Sequence, residues 1–176
     1  MLVKNTANMF SIRTASTNDC YLINELASQV WENTYGEILT KEQLDYMFEM
    51  MYAPENIIKQ INELQHQYFI ISADNVPSGY LSIEKKDDNT YIFQKIYALP
   101  AMQGTGMGRY IIEQGISYLK SIHPSTPLHI ILYVNRENPA VGFYKHLGFE
   151  VADTRDNHIG NGYYMNDYIM SLKING

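Results

Sequence analysis

The chain has 176 residues, 45% of them hydrophobic and 15 of them tyrosine, a length and composition that suit one folded domain, 1–176, with a sizeable core. Its 13 basic against 19 acidic residues give a formal charge of −6, which argues against a nucleic-acid surface and is compatible with a cationic small molecule as partner. A lone Cys20 excludes an internal disulfide, no Cys/His spacing suggests a metal, no window reaches the ~20 apolar residues of a membrane helix, and Met1 to Ala15 lacks the apolar core of a signal peptide, so a cytoplasmic setting is expected.

Phe10 to Thr14 alternates as a short strand, and Ser16 or Thr17 is placed to cap the helix after it, whose buried face is Ile23, Leu26, Ala27 and Val30. Leu44, Met47, Phe48 and Met51 predict a second helix, and Ile57, Ile61 and Leu64 a third. Tyr68–Ala73, Gly79–Lys85 and Tyr91–Leu99 then read as strands, joined by polar turns over Asp74–Ser78 and Asp87–Asn89 that imply antiparallel neighbours. The third of these strands leads through a glycine loop and a helix, Met107–Ser121, to another apolar strand, Leu128–Val134. That βαβ unit requires parallel strands and a right-handed crossover.

A further helix carries clear punctuation: Asn138 as N-cap, Pro139 in the first helical position and Gly148 as the left-handed C-terminal residue, with Ala140, Phe143, Tyr144 and Leu147 on one face. Phe149–Ala152 and Tyr163–Leu172 close the chain as strands, with Gly160 and Gly162 in the bend between them.

Glycines at a helix start let backbone N–H groups approach an anion, and the helix dipole favours negative charge there. Gln103-Gly104-Thr105-Gly106-Met107-Gly108 therefore reads as a cradle for phosphate or pyrophosphate. A dinucleotide fold is the main rival, but it wants its glycine loop after the first strand and an acidic residue about 20 positions on. Here three strand segments precede the βαβ unit's own first strand, and Leu128–Val134 ends without an acid.

The element order and two motifs together resemble the GNAT N-acetyltransferase superfamily. Gln103, Gly106 and Gly108 match its cofactor signature, and Phe143-Tyr144-Lys145-His146-Leu147-Gly148-Phe149 matches its second motif. The resemblance implies an α/β (α+β) fold, with a mixed, mostly antiparallel sheet of about six to seven strands, a central parallel βαβ unit and flanking helices. More narrowly, Trp31-Glu32-Asn33-Thr34-Tyr35, Gln94-Lys95-Ile96-Tyr97 and the tail Tyr163 to Met170 are similar to the bacterial polyamine N-acetyltransferase branch.

What this implies is an acetyl-CoA-dependent N-acetyltransferase that moves an acetyl group directly to a primary amine in a ternary complex. Amides of Gln103, Gly104, Thr105, Gly106, Met107 and Gly108 would take the pyrophosphate, with the glycines clearing Cβ atoms from its path. The backbone of Ile96, Tyr97 and Ala98 would pair with the pantetheine arm and polarise the acetyl carbonyl. Tyr144 stands where the family protonates the departing thiolate, and Asn138 where it contacts cofactor. Read without the motif, Tyr144 is one more aromatic of a helix face and Asn138 only a cap.

Where many relatives have a glutamate base on the strand before the loop, this chain has Gln94, whose neutral amide cannot take a proton. Another group such as Glu84, which otherwise reads as a solvent-facing strand residue, or a water chain is left for that task, or the amine arrives through a shared route to solvent, so no base is named from the sequence. Trp31 and Tyr35, four residues apart, could flank an alkyl ammonium, or could simply pack the end of an amphipathic helix. Glu32 and Glu37 could add negative charge, whereas ordinary roles are expected for His123, His129, His146 and His158. The resemblance nudges the acceptor toward polyamines and leaves peptide or protein amines, aminoglycoside-type amines and a non-catalytic CoA sensor open. It also permits a homodimer.

Overall fold

A computed structural model describes residues 8–176. Part of the N-terminal segment considered above, residues 1–7, lies outside the described residues. Seven strands form one sheet in the order β1-β2-β3-β4-β5-β7-β6: β1 Phe10–Thr14, β2 Gln67–Ala73, β3 Val76–Lys85, β4 Thr90–Ala98, β5 Leu128–Asn135, β6 Glu150–Gly160 and β7 Tyr163–Ile174. Every neighbouring pair is antiparallel except β4 and β5. The expected α/β class, strand number and central βαβ unit are all present. Among the described residues no helix is long and apolar enough to cross a membrane.

Helices α1 Cys20–Tyr35, α2 Lys41–Tyr52 and α3 Pro54–Asn62 bury an aromatic-rich core against one face of the sheet, around Ile23, Trp31, Tyr52 and Tyr80. Helix α4, Met107–Ile122, and the short α5, Ala140–His146, cover the other face with Met107, Ile111 and Tyr144 against Phe93 and Leu132. The predicted stripes place Ile23, Leu26, Ala27, Val30, Leu44, Met47 and Ile57 in the first core and Tyr144 in the second. Leu64 and Phe143 stand apart: α3 ends at Asn62, Leu64 lies beyond it with 52% of its surface exposed, and Phe143 is exposed on α5.

Four boundaries differ from expectation for physical reasons. The Asp74–Ser78 turn is only Asp74 and Asn75, both at positive φ, because these two residue types tolerate the left-handed region that a two-residue hairpin needs. Strand β3 therefore starts at Val76, and Pro77 is accommodated by a register shift between Ile71 and Ser72. Helix α5 starts at Ala140, with Pro139 at its cap position, while the Asn138 side chain accepts the Ala140 N–H at 2.9 Å. Strand β6 runs to Gly160 instead of stopping at Ala152; as an edge strand exposed on both faces it has no apolar alternation to betray it.

A bulge in β4 has the largest consequence. Ser82 pairs with Lys95 but Ile83 with Phe93, so Gln94 is the extra residue and the alternation of faces changes there. Tyr91 and Phe93 join the α4 side, whereas Lys95 and Tyr97 turn toward α1–α3.

Candidate active site

Strands β4 and β5 pair only through Thr90/His129, Tyr91/Ile130 and Ile92/Ile131, and then part. Beyond that point β3 holds one edge of Ile96, Tyr97 and Ala98, and the edge facing β5 has no strand partner. A cleft of about 570 Å3 fills the split, between Phe93, Gln94, Ile96, Tyr97 and Ala98 on one side and Leu132–Val134 and Tyr144 on the other. It continues into a trough of about 460 Å3 along Gly104, Gly106, Gly108 and Arg109, the two sharing Ile96, Tyr97, Ala98, Gln103, Ala140, Phe143 and Tyr144. Every residue expected to bind cofactor except Met107 and Thr105 lines one or both.

The loop into α4 has the geometry of an anion cradle. Gly104 and Gly106 have φ of +73° and +90°, and a Cβ on either would meet nothing within 4 Å, so glycine is required for the backbone angle and the space above is open. Gly108 differs from expectation: a Cβ there would come 3.1 Å from the Phe143 ring, so this glycine lets α4 approach α5. The amides of Gln103 and Thr105 are turned inward, onto the carbonyls of Pro100 and Met102. Those of Gly104, Gly106, Met107 and Gly108 have no partner among the described residues, as the start of a helix leaves them. The Met107 side chain is fully buried and serves the core.

Tyr144 is placed by α5 at the junction of cleft and trough, its ring against Phe143 and Phe149. Among the described residues its hydroxyl has no hydrogen-bond partner. Burial pushes the phenol above its ordinary range, so it stays protonated through neutral pH. Asn138 lines the cleft, and its Oδ1 accepts the Ala140 N–H just ahead of the cap residue Pro139. Asn135, in contrast, accepts the Glu137 N–H and lines the chamber described next, not the cleft.

Behind the cleft lies a second chamber of about 330 Å3. Tyr35, Gln94, Tyr97 and Tyr133 line both spaces and form the partition they share, in which the Tyr35 and Tyr97 hydroxyls are hydrogen-bonded at 2.8 Å. Trp31 also lines the chamber, but its indole N–H is committed to the Leu44 carbonyl at 3.1 Å and its ring packs on Tyr35, Phe48 and Tyr52. Glu37 lines the cleft and Glu32 an outer groove, so neither acidifies the chamber. His123 is bound to the Tyr91 hydroxyl, and His146 stands along the trough.

The chamber's charged residues are ones the sequence did not single out, apart from Glu84. Gln94 Nε2 donates to Glu84 Oε2 at 2.6 Å, and His66 Nε2 lies 3.5 Å from that same oxygen. Burial and the Lys95 charge lower the His66 pKa, which leaves the imidazole neutral at pH 7, and its buried Nδ1 has no hydrogen-bond partner. Lys95 Nζ donates to Gln60 Oε1 at 2.8 Å and sits 5.5 Å and 5.3 Å from the ring centres of Tyr52 and Tyr68. On the opposite wall, Arg155 lies 3.5 Å over the Tyr133 ring and donates to Asp167, whose buried carboxyl is raised by desolvation against that pairing. Lys95 was hidden by the bulge, and Arg155 by the polar strand that gave no periodic signal.

A family model described as an acetyltransferase (GNAT) domain matches residues 65–151. The spermidine N(1)-acetyltransferase of Thermoplasma acidophilum is 27% identical over 149 residues, covering 81% of this chain and 89% of that protein. The fold is shared with the PaiA N-acetyltransferase of Thermoplasma acidophilum, solved in complex with coenzyme A, at a TM-score of 0.73 and 21% identity over 94% of this chain and 99% of that one. It is shared also with mutant forms of the spermidine/spermine N-acetyltransferase SpeG from Vibrio cholerae, at a TM-score of 0.65 and 22% identity over 93% of each chain.

Proposed function

We propose, from the premise that the chain carries a GNAT acetyltransferase domain, that residues 1–176 act as one cytoplasmic acetyl-CoA-dependent N-acetyltransferase whose acceptor is a small primary amine. The parting of β4 and β5 beside Tyr144 carries this reading, because it puts an unpaired strand edge, an anion cradle and a buried phenol along one continuous groove.

The groove fits the cofactor. Free amides of Gly104, Gly106, Met107 and Gly108 suit a pyrophosphate at the start of α4, and the open edge of Ile96–Ala98 suits an extended amide-bearing arm. Bound acetyl-CoA supplies an activated acetyl thioester. An N–H on the free edge of Ile96–Ala98 polarises the acetyl carbonyl, and Tyr144, held protonated by burial, donates its proton to the departing sulfur. The amine reaches the thioester from the chamber, past the partition of Tyr35, Gln94, Tyr97 and Tyr133, whose Tyr35–Tyr97 hydrogen bond must part to admit it.

An alkyl ammonium, with a pKa near ~10, must lose a proton before it can attack. We assign that proton to Glu84, the chamber carboxylate held beside Gln94, so that a carboxylate on β3 does what the neutral Gln94 on β4 cannot. The spermidine relative makes polyamines the first acceptors to test, with peptide and aminoglycoside amines beside them.

The test is release of CoA thiol from acetyl-CoA across that panel, with acetyl-CoA binding measured by calorimetry. Turnover on any amine supports transfer. Binding without turnover points to a sensor, and absence of binding overturns the reading.

A further inference from the structure

Lys95 is a buried amine that makes no ion pair, although the Glu84 charge acts on it from a distance. It is 8% exposed, and among the described residues no carboxylate comes within the 4.0 Å of an ion pair. Its one hydrogen-bond acceptor, Gln60 Oε1, already takes the Tyr68 hydroxyl, so two of the three ammonium protons have only aromatic faces and the chamber to turn to. Burying a charge without a partner is costly, and the cost is relieved when a ligand brings the opposite charge.

The two chamber carboxylates are already engaged. Glu84 holds the Gln94 amide with His66 beside it, and Asp167 holds Arg155. Lys95 and Arg155 balance Glu84 and Asp167, so the lining has no surplus of negative charge to hold a second ammonium, and a zwitterion leaves that balance intact. A diamine or polyamine would bring its distal cation toward Lys95 instead.

We propose that the acceptor carries, at the end away from its amine, an anionic group, most simply a carboxylate, and that Lys95 receives it. The proposal rests on the chamber being the acceptor site of the acetyl transfer inferred above. The amine then stands at the partition of Tyr35, Gln94, Tyr97 and Tyr133, and the carboxylate beside Gln60 and Tyr52. Burial draws the free Lys95 amine down to about 7, and an anion beside it restores the full charge. The buried, unpartnered His66 Nδ1 offers a second polar contact in the same chamber.

Three acceptors of one carbon length separate the possibilities: pentylamine, cadaverine and the matching ω-aminocarboxylate. The protein should acetylate the aminocarboxylate with a kcat/KM about tenfold or more above the other two. Lys95→Met, and Lys95→Gln if the first variant folds poorly, should remove that preference while keeping acetyl-CoA affinity. A preference for cadaverine, or a preference unchanged in both variants, overturns the proposal and leaves acetyl transfer standing. If none of the three is acetylated, the acetyl-transfer reading is what suffers, and calorimetry with the aminocarboxylate still decides: binding lost in Lys95→Met supports the anion site, and no binding to the unmodified protein overturns it.

Discussion

Gln94 and Glu84, ten residues apart on adjacent strands, are joined by a 2.6 Å hydrogen bond from Nε2 to Oε2 at the bulge in β4. The Gln94 amide on β4 thus orients a carboxylate on β3. Glu84→Gln keeps a side chain that can bond to Gln94 and removes only the charge. We expect a fold and acetyl-CoA affinity close to those of the unmodified chain, and kcat/KM for the amine lower by about 10²-fold or more. Stopped-time thiol release at saturating acetyl-CoA measures it; undiminished turnover would pass the proton's destination to another group.

Tyr144→Phe removes a hydroxyl that has no protein partner, so the core around Phe143 and Phe149 should be little disturbed. Acetyl-CoA binding should persist while kcat drops by about 10² or more. If calorimetry and kinetics instead show both quantities unchanged, Tyr144 is a packing residue.

Gly106 and Gly142 give opposite expectations for the same substitution. Gly106 holds φ +90°, so Gly106→Ala should cost on the order of 1–3 kcal/mol of stability and weaken acetyl-CoA binding as the cradle distorts. Gly142 lies inside α5 at an ordinary φ with nothing near a Cβ, so Gly142→Ala should gain about 0.5–1 kcal/mol. Urea unfolding of both variants checks the contrast, and equal effects would refute the conformational argument.

Lys95 makes stability depend on pH. Its amine titrates at about 7 in the folded chain against an ordinary 10.5. Between those values the unfolded chain keeps a proton that the folded chain has released, so stability rises with pH across the window and is flat below it. Lys95→Met should therefore be more stable than the unmodified chain at neutral pH and below, and the gain should shrink as the pH rises toward 10.5, by at most about 1.4 kcal/mol per pH unit. Unfolding curves at about pH 6, 8 and 10 reveal it; a gain independent of pH would mean that packing, not charge, separates the two.

Most helices and central strands were legible in the chain because their apolar residues repeat at the spacing of the element that buries them, as Ile23, Leu26, Ala27 and Val30 do in α1. The glycine loop and the Tyr144 helix were legible for a different reason: left-handed backbone and helix caps restrict residue type locally, so Gly104, Gly106, Asn138 and Gly148 mark themselves. These local constraints marked out the residues of the candidate cofactor groove.

The acceptor half was decided by tertiary structure. A single extra residue in β4 reverses which face Lys95 and Tyr97 occupy, and no period in the sequence announces it. The Tyr35–Tyr97 hydrogen bond joins residues 62 positions apart, and Arg155, which donates to the buried Asp167 of β7, comes from an edge strand with no burial to pattern it. Residue type and spacing encode what each segment does with its own backbone. Which charges meet in the chamber depends on strand register and on burial from both sides, and those exist only once the sheet has closed against its helices.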